Sequence, residues 1–139
     1  MDILVLIGRV LFAVLFVVSG YEHVTKPGGM VGYAAAKGVP AARLAVPAGG
    51  ALLTVGGLMV LLGIWADLGF LLILLFLVPT MLLMHAFWRE SDPDTRQQEM
   101  IQFNKDLALA GASLMLFVLF AHADSDLGLT LTGPAFELG

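Results

Sequence analysis

Residues 44–88 read LAVPAGGALLTVGGLMVLLGIWADLGFLLILLFLVPTMLLMHAFW, two long apolar runs parted only around Asp67 and Gly69. A helix crosses the hydrocarbon of a bilayer with about 20 mostly apolar residues. Each run is long enough, and spans are expected at about 44–65 and about 68–88. So short a connection makes them an antiparallel hairpin. The same criterion, worked outward, finds an earlier span at about 3–23 and a later one at about 104–122. The earlier run breaks at Lys26-Pro27-Gly28-Gly29, and Asp2 stands where a signal peptide would carry basic residues, so it is expected to be retained. Ser91-Asp92-Pro93-Asp94 has the form of a helix start, with a capping side chain, an early proline and acidic charge in the first turn. The fourth helix should therefore carry a polar extension ahead of its span. Pro47 is expected in the first turn of the second span, where its missing N–H costs little, and Pro79 should kink the third. Residues 127–139 are too few to cross and are expected at the interface. The fold class is all-α: one transmembrane four-helix bundle over residues 1–139.

Composition agrees. Of 139 residues, 59% are apolar and 13% charged, against about 45–50% and about 25% in soluble domains. A body this small exposes much of its surface, which here would be largely hydrocarbon. Cysteine is absent, which removes disulfides and thiolate chemistry, and a net charge of −4 offers no basic stripe for nucleic acid. Lys26, Lys37, Arg43, Arg89, Arg96 and Lys105 fall on the side of the first and third loops, leaving Arg9 near the other. The positive-inside rule puts those loops in the cytoplasm and both termini outside the inner (plasma) membrane. Trp65 and Trp88 are expected as anchors at opposite interfaces.

Small residues mark helix contacts, because close backbone approach stabilises association where lipid gives no hydrophobic drive. Gly49, Gly56 and Gly63 recur every seven residues, with Gly50 and Gly57 one position on, a stripe expected to face one partner. Such a seam serves an internal helix pair and a homo-oligomer equally well. In the first span Arg9, Phe16 and His23 are seven apart, with Ser19 and Gly20 close by, and this stripe should face the bundle. Arg9 and His23 lie roughly 21 Å apart along the helix, so they belong to opposite ends. Arg9 is expected either to lock the bundle by pairing with Asp67 or Asp124 or to contact a substrate.

At the other end Glu22, His23 and Lys26 meet His85 and Arg89 of the third span and Asn104, Lys105 and Asp106 of the fourth. The ligand-binding candidates are His23, His85, Asn104, Glu22 and Arg89, with Arg9, Ser19, Lys26 and Asp106 as supporting polar groups. Such a cluster suits a hydrogen-bond and ion-pair network, a ligand or proton site, or a metal. No H-x-x-x-H or H-E-x-x-H spacing occurs, and no metal is expected. Continuing the helix from Asn104 gives Leu107, Ala108, Gly111, Ala112 and Met115, a small-residue face expected to look inward and carry the amide with it.

The blocks Arg9-x6-Phe16-x2-Ser19-Gly20-Tyr21-Glu22-His23-x2-Lys26, Gly56-Gly57-Leu58-x3-Leu62-Gly63, His85, and Phe103-x-Lys105-Asp106-Leu107-Ala108-Leu109-Ala110-Gly111 together resemble the DoxX family of small bacterial membrane proteins. Carried over residue by residue, the family motif positions that the resemblance implies are Arg9, Ser19, Gly20, His23, Lys26, Gly57, Gly63, His85 and Asn104. Where many relatives have Lys-Asn, this chain has Asn104-Lys105-Asp106, leaving open which of Asn104 and Asp106 takes the family asparagine's part. Relatives include subunits tied to thiosulfate:quinone oxidoreduction, so the resemblance implies an accessory or quinone-handling subunit of a membrane oxidoreductase system. A quinone and a soluble redox enzyme are then the expected partners beside lipid, with no covalent cofactor. A lipid-binding or transport module without redox activity, or a docking partner for soluble enzymes through residues 89–99, is the alternative.

Overall fold

The computed structural model describes residues 1–123 and 127–138. Apolar runs without internal breakers become helices: α1 (Asp2–Thr25), α3 (Ala42–Leu62), α4 (Ala66–Leu83) and α5 (Pro93–His122). Each of the four is long and apolar enough to cross a membrane, and the described residues contain no strand. Their outward faces carry residues such as Ile3, Leu4, Leu11 and Met115, each at least 68% exposed, which only lipid can cover at acceptable cost. The protein is a multi-pass membrane protein.

One helix was not expected. Pro27–Ala36 forms α2, a short helix between the first two spans, with Pro27 at its start and Gly38 in the left-handed region just beyond it at φ +82. Proline inside the start and glycine past the end are ordinary helix punctuation, so the break at Pro27 ends α1 but opens another helix. α3 begins at Ala42, two residues ahead of expectation, which places Pro47 inside the helix. The third span runs over Ala66–Arg89, as expected, but its regular helix α4 stops at Leu83, four residues past Pro79, and a single 3-10 turn at Phe87–Arg89 leads to α5. α5 starts where its cap predicts, the Asp92 carboxylate accepting from the Thr95 N–H at 2.9 Å.

Neighbouring helices run antiparallel around one core. Phe12, Phe16, Phe70 and Phe120 form its aromatic centre, with Leu53, Val60, Ile73 and Leu77 around them. The α3 glycines serve two neighbours rather than one, because adjacent helix positions point about 100° apart. A Cβ on Gly50 or Gly57 would meet α1 at His23 or Val17, whereas one on Gly49 or Gly56 would meet α4 at Phe76 or Gly69. Gly63 ends α3 at φ +66, with no room for a side chain beside Arg9 and Thr130. Gly111 belongs to no seam among the described residues; a Cβ there would touch none of them within 4 Å.

The C-terminal tail closes one end of the bundle. Leu131 and Thr132 donate their N–H groups to the Gly63 carbonyl at 3.0 and 3.1 Å, and the Trp65 N–H donates to the Thr132 hydroxyl. Asp67, fully buried, accepts from the backbone N–H groups of Ala135 and Phe136 at 2.9 and 2.8 Å. This overturns the expected Arg9–Asp67 pair: the carboxylate caps the tail instead. Arg9, 3% exposed, donates to the Leu129 carbonyl at 3.0 Å, and its Nε and Nη1 find no partner among the described residues. Asp124, the other expected partner, lies outside the described residues.

Candidate functional site

The opposite end holds a cavity of about 480 Å³ bounded by all five helices. Its position follows from the chain's interruptions. α4 gives out at Leu83, and Pro79, which lacks an N–H for the carbonyl at position 75, lines the wall together with Leu75. α2 contributes Met30 and Tyr33 to the wall. The small residues Ala45, Ala48 and Gly49 keep the α3 side of the space open. Most of the lining is apolar. Its polar members are Ser19, His23, Tyr33, Thr80, His85, Lys105 and Asp106.

His23 sits where α1 and α3 approach closely, its Cβ 2.7 Å from where a Cβ on Gly50 would stand. Its Nδ1 is 2.7 Å from the Ser19 carbonyl one turn back, and its ring meets Phe76 edge-on at 5.7 Å. His85 follows α4 and is oriented by α5: its Nδ1 is 2.7 Å from Glu99 Oε2, and its Nε2 is 3.7 Å from Asp106 Oδ2. Glu99 is the hub. Only 5% exposed, it also accepts from the Tyr33 hydroxyl and pairs with Lys37 Nζ at 2.9 Å, while Lys37 reaches on to Glu90. These contacts fasten α2 to α5 beside the cavity. Burial and the Glu99 carboxylate push the Tyr33 phenol above its ordinary value of 10. Burial alone would lower Lys37, but its bonds to Glu90, Glu99 and Tyr33 outweigh that and raise it.

The structure thus brings together only part of the expected cluster. His23, His85, Ser19 and Asp106 line the cavity, whereas Glu22, Lys26, Arg89 and Asn104 are exposed. The inward turn expected of Asn104 is corrected. Leu107, Ala108, Gly111 and Met115 share its exposed face, and the buried face carries Glu99, Asp106, Ser113 and Phe120, each seven residues from the last. Asp106 is therefore the buried polar group that α5 presents to the cavity, beside the exposed Lys105. Carboxylates are far costlier in lipid than small apolar residues, so the acidic heptad takes the interior. Tyr33, Lys37 and Glu99 were missed. The spacing of Glu99, Asp106 and Ser113 could have found the last, and the proline and glycine flanking α2 the other two. Among the described residues no group of three His, Asp or Glu side chains is placed to hold a metal.

A four-span helical bundle, sealed by its tail at one end and hollowed at the other around two histidines and an aspartate, is a membrane protein with an internal polar site. The chain belongs to the DoxX family, whose model matches residues 4–86. That match takes in α1 to α4 and His85; the Glu99 and Asp106 side of the site lies beyond it. No curated protein and no solved structure matches the chain.

Proposed function

We propose that this protein is a quinone-handling subunit of a membrane-associated oxidoreductase system, and that the cavity among the five helices receives the quinone ring. The supporting observation is the cavity's composition: an apolar space of about 480 Å³ with His23, His85 and Asp106 on its wall. That volume is within the range of small-molecule pockets, about 300–1,000 Å³. Apolar walls suit the ring and the start of an isoprenoid tail, and the imidazoles hydrogen-bond the oxygens of one of its redox forms and exchange protons with them. A quinone supplies two-electron, two-proton chemistry. The electrons come from a partner protein, a soluble redox enzyme docked beside residues 89–99, because no side chain here stores them. Six of the seven Lys and Arg lie on the cavity side, which by the positive-inside rule supports a cytoplasmic setting for this end with both termini outside.

The test is equilibrium binding of a short-tailed benzoquinone and its reduced form to the detergent-solubilised protein. Saturable binding of at least one form, weakened about ten-fold or more in His85→Ala, is expected from the loss of a buried hydrogen-bonding group. Phospholipid retained in the cavity with no saturable binding of either form would overturn the proposal. It would favour the second reading, a lipid-binding module, which the mostly apolar lining also suits.

A further inference from the structure

We infer that the cavity selects the reduced, hydrogen-donating form of its ligand, a hydroquinone or a phenol of similar shape, over the corresponding quinone. The inference rests on the proposed function and sharpens it by naming the form of the substrate. Its starting point is the proton that each histidine must carry.

The Ser19 carbonyl oxygen has no hydrogen to give, so the 2.7 Å contact with His23 Nδ1 is a hydrogen bond only if Nδ1 bears the proton. A neutral imidazole has one N–H, which leaves Nε2 as a bare acceptor. No described residue offers that nitrogen a hydrogen bond, and His23 lies on the cavity wall. Phe76 packs edge-on against the ring at 5.7 Å in this orientation.

His85 is set in the same sense. Glu99 receives the Tyr33 hydroxyl and Lys37 on Oε1 and His85 on Oε2, and only an ionised carboxylate accepts on both oxygens. The His85 proton therefore also resides on Nδ1. Its Nε2 is 3.7 Å from Asp106 Oδ2, too far for a direct hydrogen bond.

On the cavity wall each histidine therefore has Nδ1 committed as a donor, His23 to Ser19 and His85 to Glu99, and the singly protonated ring keeps Nε2 as an acceptor. A quinone brings only acceptor oxygens, so against His23 Nε2 it sets lone pair against lone pair and leaves a desolvated acceptor unsatisfied. A hydroquinone hydroxyl donates to that nitrogen and removes the mismatch. Direct readout of a hydroxyl by a buried acceptor discriminates strongly, because the wrong partner strands the site's own polar group.

The experiment compares a short-tailed hydroquinone with its quinone by anaerobic equilibrium dialysis against the full-length protein in mild detergent. It is run in mildly alkaline buffer, which favours the singly protonated ring. The expected result is tighter binding of the hydroquinone by about ten-fold or more. His23→Gln, whose amide can either donate or accept, should bring the two affinities close together while helical circular dichroism stays unchanged. Equal or tighter binding of the quinone, or an unchanged ratio in His23→Gln, would overturn the inference and leave the proposed function standing. Failure of both forms to bind would remove both.

Discussion

Gly20 and Gly111 are both helical glycines in apolar spans, yet replacing each by alanine should have opposite effects. A Cβ on Gly20 would stand 2.7 Å from both the Gly50 carbonyl oxygen and the Thr54 backbone nitrogen, with the Thr54 hydroxyl closer still. Ordinary contact begins near 3.4 Å. Two of the obstructing atoms are backbone, so α1 and α3 would have to part rather than let a side chain rotate. Overpacking of this kind costs about 1–3 kcal/mol, against a gain of up to about 1 kcal/mol from replacing glycine within a helix. Gly111→Ala meets nothing within 4 Å and keeps only the gain. The two variants should therefore differ by about 1–3 kcal/mol, Gly20→Ala being the less stable. Reversible unfolding in mixed micelles, followed by helical circular dichroism, measures the difference. Equal stability, or a less stable Gly111→Ala, would refute the assigned α1–α3 seam.

Asp67→Ala removes the acceptor of two backbone N–H groups in a fully buried place, so the tail should detach, at a cost of about 1–3 kcal/mol; limited proteolysis within residues 127–138 reads the release. Asp92→Ala removes the cap of α5, and amide exchange over its first turn should quicken several-fold while the transmembrane part is unchanged. Asn104→Ala should leave stability within about 0.5 kcal/mol and ligand binding intact, whereas Asp106→Asn weakens binding several-fold in the same dialysis assay. The Tyr33 and Lys37 contacts fail in alkali. Both groups are raised above their ordinary values of 10 and 10.5, so their stabilisation is complete below about pH 10 and is lost as the pH climbs through the raised values. Melting temperature should fall above about pH 10, and Tyr33→Phe should remove part of that fall.

What the sequence disclosed and what it hid divide along a physical line. Span number, the hairpin at Asp67 and the Asp92 cap depend on local signals such as length, charge and turn chemistry, and each appears in the structure. The stripe of Arg9 and Phe16 was legible because a charge at helical spacing must turn away from lipid. The rotation of α5 was misread by the same logic applied to the wrong residues. A small-residue face through Asn104 and Gly111 competes with an acidic one through Glu99 and Asp106, and charge outweighs size. α2 was obscured by its three glycines, poor helix formers that tertiary contact with α3 overrides. The fate of Asp67 depended on a tail with no periodicity, whose backbone donors no pattern of side chains announces.

Native mass spectrometry of protein released gently from its own membrane bears most directly on the proposal that the hollow in the bundle holds a quinone-class ring. One molecule of that class per chain is predicted, with retention diminished in His23→Ala and in His85→Ala. A bare polypeptide, or one carrying phospholipid alone in wild type and variants alike, would contradict it.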